Sequence, residues 1–124
     1  YGSPGIDLVH ATILTSTLWA RDAQAELRRT DIVNLYRAYL NFLPVNLKDE
    51  IRPWLMPMRR LAWLRAVTWS CKWSARKQRS DQTENGLRGQ IQKHIAKRLA
   101  AFVDLKTITS VRSEWVGENK LALI

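Results

Sequence analysis

Few side chains in this sequence stand at spacings that support catalysis. Asp49 and Glu50 are adjacent, and adjacent helical residues point about 100° apart, so we do not expect them to share a substrate. Asp7 and His10 are three residues apart, and a helix would bring them onto one face. We interpret them as a local hydrogen-bonded pair rather than a catalytic dyad. His94 lies among lysines, which is typical of a surface residue.

The sequence also contains few residues suited to metal binding or thiol chemistry. With 2 His and 1 Cys, a zinc site built from those residues alone is one ligand short of a three-ligand catalytic site. The lone Cys71 excludes an internal disulfide, which fits a reducing cytoplasm. Because it lies between Trp69 and Trp73, we expect it to be buried and structural. The segment Gly2 to Gly5 lacks the lysine and the spacing of a phosphate-binding loop.

Aromatic residues are concentrated in one part of the chain. There are 6 Trp, and the run from Trp54 to Trp73 contains several of them. Large aromatics bury much area per residue, so we predict that they belong to the core. Two alternatives stay open: an aromatic wall for a cationic or planar ligand, and stacking on single-stranded bases with interleaved arginines.

The charge balance is strongly basic, with 20 Lys plus Arg against 11 Asp plus Glu and a net charge of +9. The segment from Arg52 to Arg79 contains basic side chains and no acidic one. Such a run usually forms a solvated or docking face, here toward an acidic partner. Nucleic-acid binding is the alternative that this charge supports.

The segments that contain the candidate residues are predicted to be helices. Ser3 and Pro4 suit the N-cap and first position of a helix continuing to about Trp19. Thr30 is the expected cap of an amphipathic helix that ends at Pro44, and Asn46 is the expected cap of the next turn.

Prolines and a polar segment divide the second half of the chain. Pro53 and Pro57 predict a break, followed by a long helix with Met58, Leu61, Leu64 and Thr68 on its apolar face. A helix apolar on most of its circumference is expected at the centre of a bundle. Residues 80–86 form a polar connector, and the last clear helix runs from near Thr83 to Phe102. After Asp104 we predict a short strand over Leu105 to Val111 and a final packing segment over Trp115 to Leu123.

The sequence therefore predicts one all-α domain over residues 1–124, a bundle of four to five helices with short connections. It contains neither a recognisable signal peptide nor a run of about 18 apolar residues. We expect no membrane partner and a cytoplasmic location.

A family resemblance enters at the segment Tyr1 to His10. Its Gly-Ser-Pro-Gly-Ile-Asp-Leu stretch resembles the Gly-Asp-Pro-x-x-Asp-Leu motif of the aminoglycoside phosphotransferase and choline kinase superfamily, with Ser3 in place of the commoner Asp. The segments Asp31 to Leu43 and Arg65 to Cys71 are similar, more loosely, to later helices of that family. Together these segments cover about the first 75 residues, and their order and spacing carry the resemblance.

The resemblance implies that this chain is the C-terminal helical part of a longer ATP-dependent kinase and is inactive alone. Asp7 matches the family's second aspartate, which supports the active-site loop. ATP, Mg²⁺ and the catalytic groups would belong to a preceding portion, and a hydroxyl of a small molecule would be the acceptor. Trp69 and Trp73 are the candidates for an acceptor-pocket wall. No catalytic or metal-binding residue is assigned to this chain.

The alternative function is a basic helical module that binds nucleic acid or an acidic protein. A third possibility is a helical interaction or structural domain. A kinase fragment is expected to expose apolar surface to its missing N-terminal portion and hence to self-associate or bind a hydrophobic dye. A nucleic-acid module is expected to bind oligonucleotides with a steep salt dependence.

Overall fold

The computed structural model describes residues 5–13, 19–23, 25–77 and 86–116, and regular structure within these ranges is entirely helical. The elements are α1 (Ile6–Thr12), α2 (Arg29–Phe42), α3 (Val45–Ile51), a 3₁₀ turn (Arg52–Trp54), α4 (Leu55–Lys77), α5 (Gly86–Val103) and α6 (Leu105–Trp115). The predicted all-α bundle is confirmed. Of the predicted connector over residues 80–86, only Gly86 lies among the described residues, and it begins α5.

The 23-residue helix α4 organises the fold. It packs against α1, against the 3₁₀ turn and against α5, and α5 packs against α6. The most deeply buried apolar side chains come from four of the helices, α1, α2, α4 and α5, and are Val9, Tyr36, Leu40, Leu55, Leu99 and Phe102. The prediction that the long helix lies at the centre of the bundle therefore holds for one side of α4.

Helix α1 is shorter than predicted. Its N-cap is Gly5, with φ 88°, and it ends at Thr12 because Ile13 is extended, with ψ 159°. The prediction of a Ser3 cap and a helix to Trp19 was wrong, and Ser3 itself lies outside the described residues. The threonine and serine residues that follow position 11 are poor helix formers, so the helix stops where Ile13 is buried in the core.

The predicted caps of α2 and α3 were also misplaced. The N-cap of α2 is Arg28, whose backbone N–H donates to the Asp31 carboxylate at 3.1 Å, so Thr30 lies inside the first turn. The N-cap of α3 is Pro44 rather than Asn46. In each case the helix begins earlier in the chain than the predicted cap residue. The end of α2 before Pro44 agrees with the prediction.

Only one of the two prolines predicted to cause a break lies where the α-helical structure is interrupted. The 3₁₀ turn contains Pro53, but Pro57 lies within the first turn of α4. The first turn of a helix leaves its N–H groups unbonded, so a proline is tolerated there. The predicted break at Pro57 was therefore wrong.

The strand predicted over Leu105 to Val111 is the helix α6. The Asp104 side chain accepts a hydrogen bond from the Thr107 N–H at 3.1 Å and caps it. Its apolar face carries Val111, which is buried, with Ile108 and Trp115 half-buried at helical spacing. The β-branched residues suggested a strand, but the cap and this spacing decide for a helix. Residues 117–124 lie outside the described part of the chain.

Candidate functional site

A groove of about 780 Å³ opens between α1, α3, the 3₁₀ turn and the beginning of α4. This volume is within the range of about 300 to 1,000 Å³ that small-molecule sites occupy. Its lining residues come from these four elements and are Ile6, Leu47, Asp49, Glu50, Ile51, Pro53, Trp54, Met58 and Leu61.

The groove is mainly apolar, with carboxylates as its charged groups. Ile51 is buried, whereas the large side chains of Trp54 and Leu61 are 64% and 67% exposed. Asp49 and Glu50 are exposed, and no basic side chain belongs to the lining. This composition suits a molecule with an apolar body and a hydroxyl or cationic group, since carboxylates accept hydrogen bonds from either.

Gly5 allows α1 to approach the other walls of this groove. A Cβ atom at this position would lie 3.2 Å from Leu55 Cδ2, 3.5 Å from Met58 Cε and 3.7 Å from Ile51 Cγ2. The positive φ of Gly5 is also a conformation that side chains disfavour. Close approach and backbone conformation therefore both require glycine at the start of α1.

A buried polar network holds the other end of α1. Arg59 of α4, which is 5% exposed, donates from Nη1 to the Thr12 carbonyl oxygen at 2.6 Å and to Thr12 Oγ1 at 2.9 Å. Its Nη2 lies 3.5 Å from Glu114 Oε2 on α6. Arg59 thus joins α1 to α4 and α6, although sequence reasoning counted it among the basic surface residues.

The hydroxyl of Thr12 has its hydrogen-bond roles fixed by these neighbours. Its distance to the Leu8 carbonyl oxygen is 2.9 Å, so its single hydrogen is donated within α1. Arg59 can only donate, and the Tyr36 hydroxyl at 3.1 Å must then donate as well. The network connects α1 to α2 through the fully buried Tyr36.

The residues predicted for the site lie in different places. Asp7 is exposed in the first turn of α1, and it is not among the groove residues. Trp69 is 51% exposed on α4 and Trp73 is half-buried. Neither lines the groove, whose aromatic residue is Trp54. Their assignment to an acceptor pocket stays a prediction. Sequence reasoning missed Trp54 because the family resemblance, from which the pocket candidates were taken, indicated Trp69 and Trp73.

The prediction of a tryptophan core was wrong for three of the six tryptophans. Trp63 is buried and meets the half-buried Trp115 edge-to-face, with ring centroids 5.5 Å apart at 88°. The Arg60 guanidinium lies 5.9 Å from the Trp115 ring centroid and donates to the Trp115 carbonyl oxygen at 3.1 Å. Trp19, Trp54 and Trp69 are exposed.

The remaining candidates for chemistry are isolated. Cys71 is exposed, so the prediction of a buried cysteine was wrong; it lies on the outer side of α4. His94 Nε2 lies 3.1 Å from the Trp19 carbonyl oxygen, to which it donates when the ring carries its proton on Nε2. No hydrogen bond between Asp7 and His10 is found in α1.

Part of the basic segment is used inside the fold. Arg59 is buried and Arg60 is half-buried against Trp115. Within the described part of α4, Arg65, Lys72 and Arg76 are exposed. The surface available to an anionic partner is therefore smaller than the sequence implied.

Searches for similar proteins give no assignment. No protein-family model, curated protein or solved structure matches the chain. In the described ranges there is no group of three or more His, Cys, Asp or Glu side chains that could hold a metal ion. Those ranges also contain no helix with the length and apolar character needed to span a membrane.

Proposed function

We propose that this chain is the C-terminal helical part of an ATP-dependent phosphotransferase whose acceptor is a hydroxyl of a small molecule. The observation that carries the proposal is the start of α1. There the segment resembling the family motif turns at Gly5 and opens a helix that forms one wall of the groove. A motif of this kind matters in phosphoryl transfer only if it positions a helix beside the reactants.

The groove is proposed as the part of the acceptor site that this chain supplies. Trp54 and Leu61 offer apolar contact, and Asp49 and Glu50 offer acceptors for an acceptor molecule's hydroxyl or ammonium group. The expected role is positioning rather than chemistry, because transfer of a phosphoryl group depends mainly on alignment and charge stabilisation.

ATP and Mg²⁺ are assigned by this proposal to a preceding N-terminal portion. Mg²⁺ in such enzymes is held by carboxylates together with phosphate oxygens. The described residues of this chain do not gather a set of carboxylates that fits such a metal site, so no catalytic step is assigned to them. On this proposal the chain is inactive by itself.

The experiment is an acceptor screen with the full-length polypeptide that contains this chain. ADP release and phosphorus NMR would be measured with ATP, Mg²⁺ and a panel of alcohols and amino alcohols. Trp54→Ala is expected to raise the KM for the acceptor about tenfold by removing an aromatic contact, with the KM for ATP unchanged. Phe42→Ala is the matched control, because Phe42 is 89% exposed and lies outside the groove lining.

Acceptor-dependent ADP release is the result that the proposal requires. No stimulation by any alcohol would overturn the phosphotransferase proposal. Equal effects of Trp54→Ala and Phe42→Ala would overturn the assignment of the groove while leaving the activity itself in place.

A further inference from the structure

A second feature of α4 is an exposed stripe that begins at Leu61, which also lines the groove, and continues along the outer side of the helix through Leu64, Thr68, Cys71 and Ala75. These positions are separated by alternating steps of three and four residues, which is the spacing of a seam between two packed helices. Leu61 is 67% exposed and Leu64 is 49% exposed. The two leucines thus occupy adjacent seam positions and give this part of the stripe an exposed apolar surface.

The stripe is distinct from the side of α4 that packs in the bundle. That inner side carries Leu55, Ala62, Trp63 and Ser70, all buried. Sequence periodicity nevertheless predicts the face of Leu61 and Leu64 as the core face. Helix α4 therefore has apolar surface on two sides, of which the described helices cover one.

The charged side chains beside the stripe indicate which kind of partner surface can cover it. Arg65 and Lys72 each follow a seam residue by four positions, where flanking charges of paired helices lie. Both are exposed, as is Arg76 one turn further along. The absence of acidic residues between Arg52 and Arg79 means that two copies of α4 would bring like charges together, so the complementary surface must carry carboxylates.

We propose that the outer stripe of α4 docks an amphipathic helix of a partner protein, with an apolar seam flanked by Asp or Glu. The leucines contact the partner's seam, and Arg65 and Lys72 pair with its carboxylates. A helix is favoured over single-stranded nucleic acid because the surface is a narrow apolar seam with charges at its edge. Nucleic acid requires a basic track with aromatic platforms, and Trp69 is the one exposed aromatic residue on the described length of α4.

The probe is a labelled synthetic peptide of about three heptads, with Leu at both seam positions and Glu at the flanking positions. Its binding to the chain would be followed by fluorescence anisotropy at two salt concentrations. The peptide is expected to bind, with affinity falling as salt rises. A second peptide with Lys in place of each Glu is expected not to bind.

Two variants locate the contact. Arg65→Glu with Lys72→Glu is expected to weaken peptide binding about tenfold or more, because attraction becomes repulsion at both positions. Arg37→Glu with Lys106→Glu is the control, since it makes the same change of net charge at exposed positions on α2 and α6. Leu64→Ser tests the seam without changing charge, and circular dichroism verifies that each variant is folded.

Equal weakening by the two charge-reversal pairs would overturn the proposal, because it would show attraction to net charge alone. Binding of a single-stranded oligonucleotide at the stripe in preference to the peptide would also overturn it. Self-association lost on Leu64→Ser would assign the stripe to a second copy instead. None of these outcomes bears on phosphotransfer activity, so the two proposals fail separately.

Discussion

Arg59 shows how a charged residue in a basic run becomes part of the interior. Its guanidinium satisfies the Thr12 carbonyl oxygen at the end of α1, where a helix leaves carbonyl groups without partners. It also pairs with Glu114. A sequence contains the charge of Arg59 but not its partners, which come from positions 47 and 55 residues away. Arg59 was therefore interpreted as a surface residue.

Replacing Arg59 with Ala is expected to lower the free energy of unfolding by about 3 kcal/mol. The change leaves the Thr12 carbonyl group and the Glu114 carboxylate without their donor in a largely buried place. Urea unfolding followed by circular dichroism measures the effect. Arg37→Ala, at an exposed position on α2, is the control and is expected to change stability by less than about 0.5 kcal/mol. Equal unfolding midpoints for both variants would contradict the buried network.

The hydrogen bond from Tyr36 to Thr12 is expected to contribute about 1 kcal/mol. Tyr36→Phe removes the hydroxyl and keeps the ring that fills the core. In a double-mutant cycle with Thr12→Val, the two changes are expected to be coupled by a similar amount, since they remove the same bond. Strict additivity of the two free-energy changes would show that the hydroxyls do not interact.

At the scale of the elements, sequence patterns identified most helices but misplaced the N-caps of α1, α2 and α3. The amphipathic spacing of α2 and the lengths of α4 and α5 were visible as periodicity. Caps were not, because Arg28 and Pro44 begin their helices through backbone conformations that many residue types permit. Gly5 begins α1 in a left-handed conformation, but the sequence pattern indicated Ser3 and Pro4 instead. The outer face of α4 was mistaken for its core face, since both sides of this helix carry apolar residues.

Removing the N-cap of α6 tests directly whether Leu105–Trp115 is a helix, as the structure shows, rather than the predicted strand. Asp104→Ala removes the acceptor of the Thr107 N–H and is expected to lower the free energy of unfolding by about 1 kcal/mol. Asp104→Asn keeps an oxygen acceptor and is expected to retain most of that stability. Thermal unfolding of the two variants gives the comparison. An equal loss in both would mean that the side-chain cap is not the source.

The start of α2 carries a pH-dependent contact. The hydrogen bond from the Arg28 side chain, followed by that from its backbone N–H, lowers the pKa of Asp31 from its ordinary value. A lowered folded-state pKa means that the contact is fully formed above the unfolded pKa and is lost as pH falls through the folded one. Titration of the Asp31 carboxyl by NMR is expected to give a higher pKa in Arg28→Ala. An unchanged value would contradict the contact.

For the molecule as a whole, the sequence predicted the all-α class correctly but not the site. The groove depends on the approach of α1 to α3 and α4 at Gly5, a contact between distant positions that periodicity does not encode. Trp54 belongs to the groove because the 3₁₀ turn redirects the chain before α4. Trp69 and Trp73, chosen by resemblance, lie further along that helix.

Exposed apolar surface in the groove is expected to bind a hydrophobic dye. Anilinonaphthalene sulfonate fluorescence with the 124-residue chain should be enhanced, and the variant Trp54→Ser should reduce it. Phe42→Ser is the matched control, because it replaces a single exposed aromatic residue outside the groove lining. If the control reduces fluorescence as much as Trp54→Ser does, the dye does not report on the groove.

The most direct test of the proposed function is to read the coding sequence upstream of Tyr1. We predict an Asp-x-Glu immediately before this residue and a His-x-Asp-x-x-x-x-Asn further upstream, which would supply the metal ligand and the catalytic loop of a kinase-like phosphotransferase. A start codon next to Tyr1, or an unrelated upstream domain, would contradict the proposal. A basic helical module that docks an acidic partner would then be the function that the structure best supports.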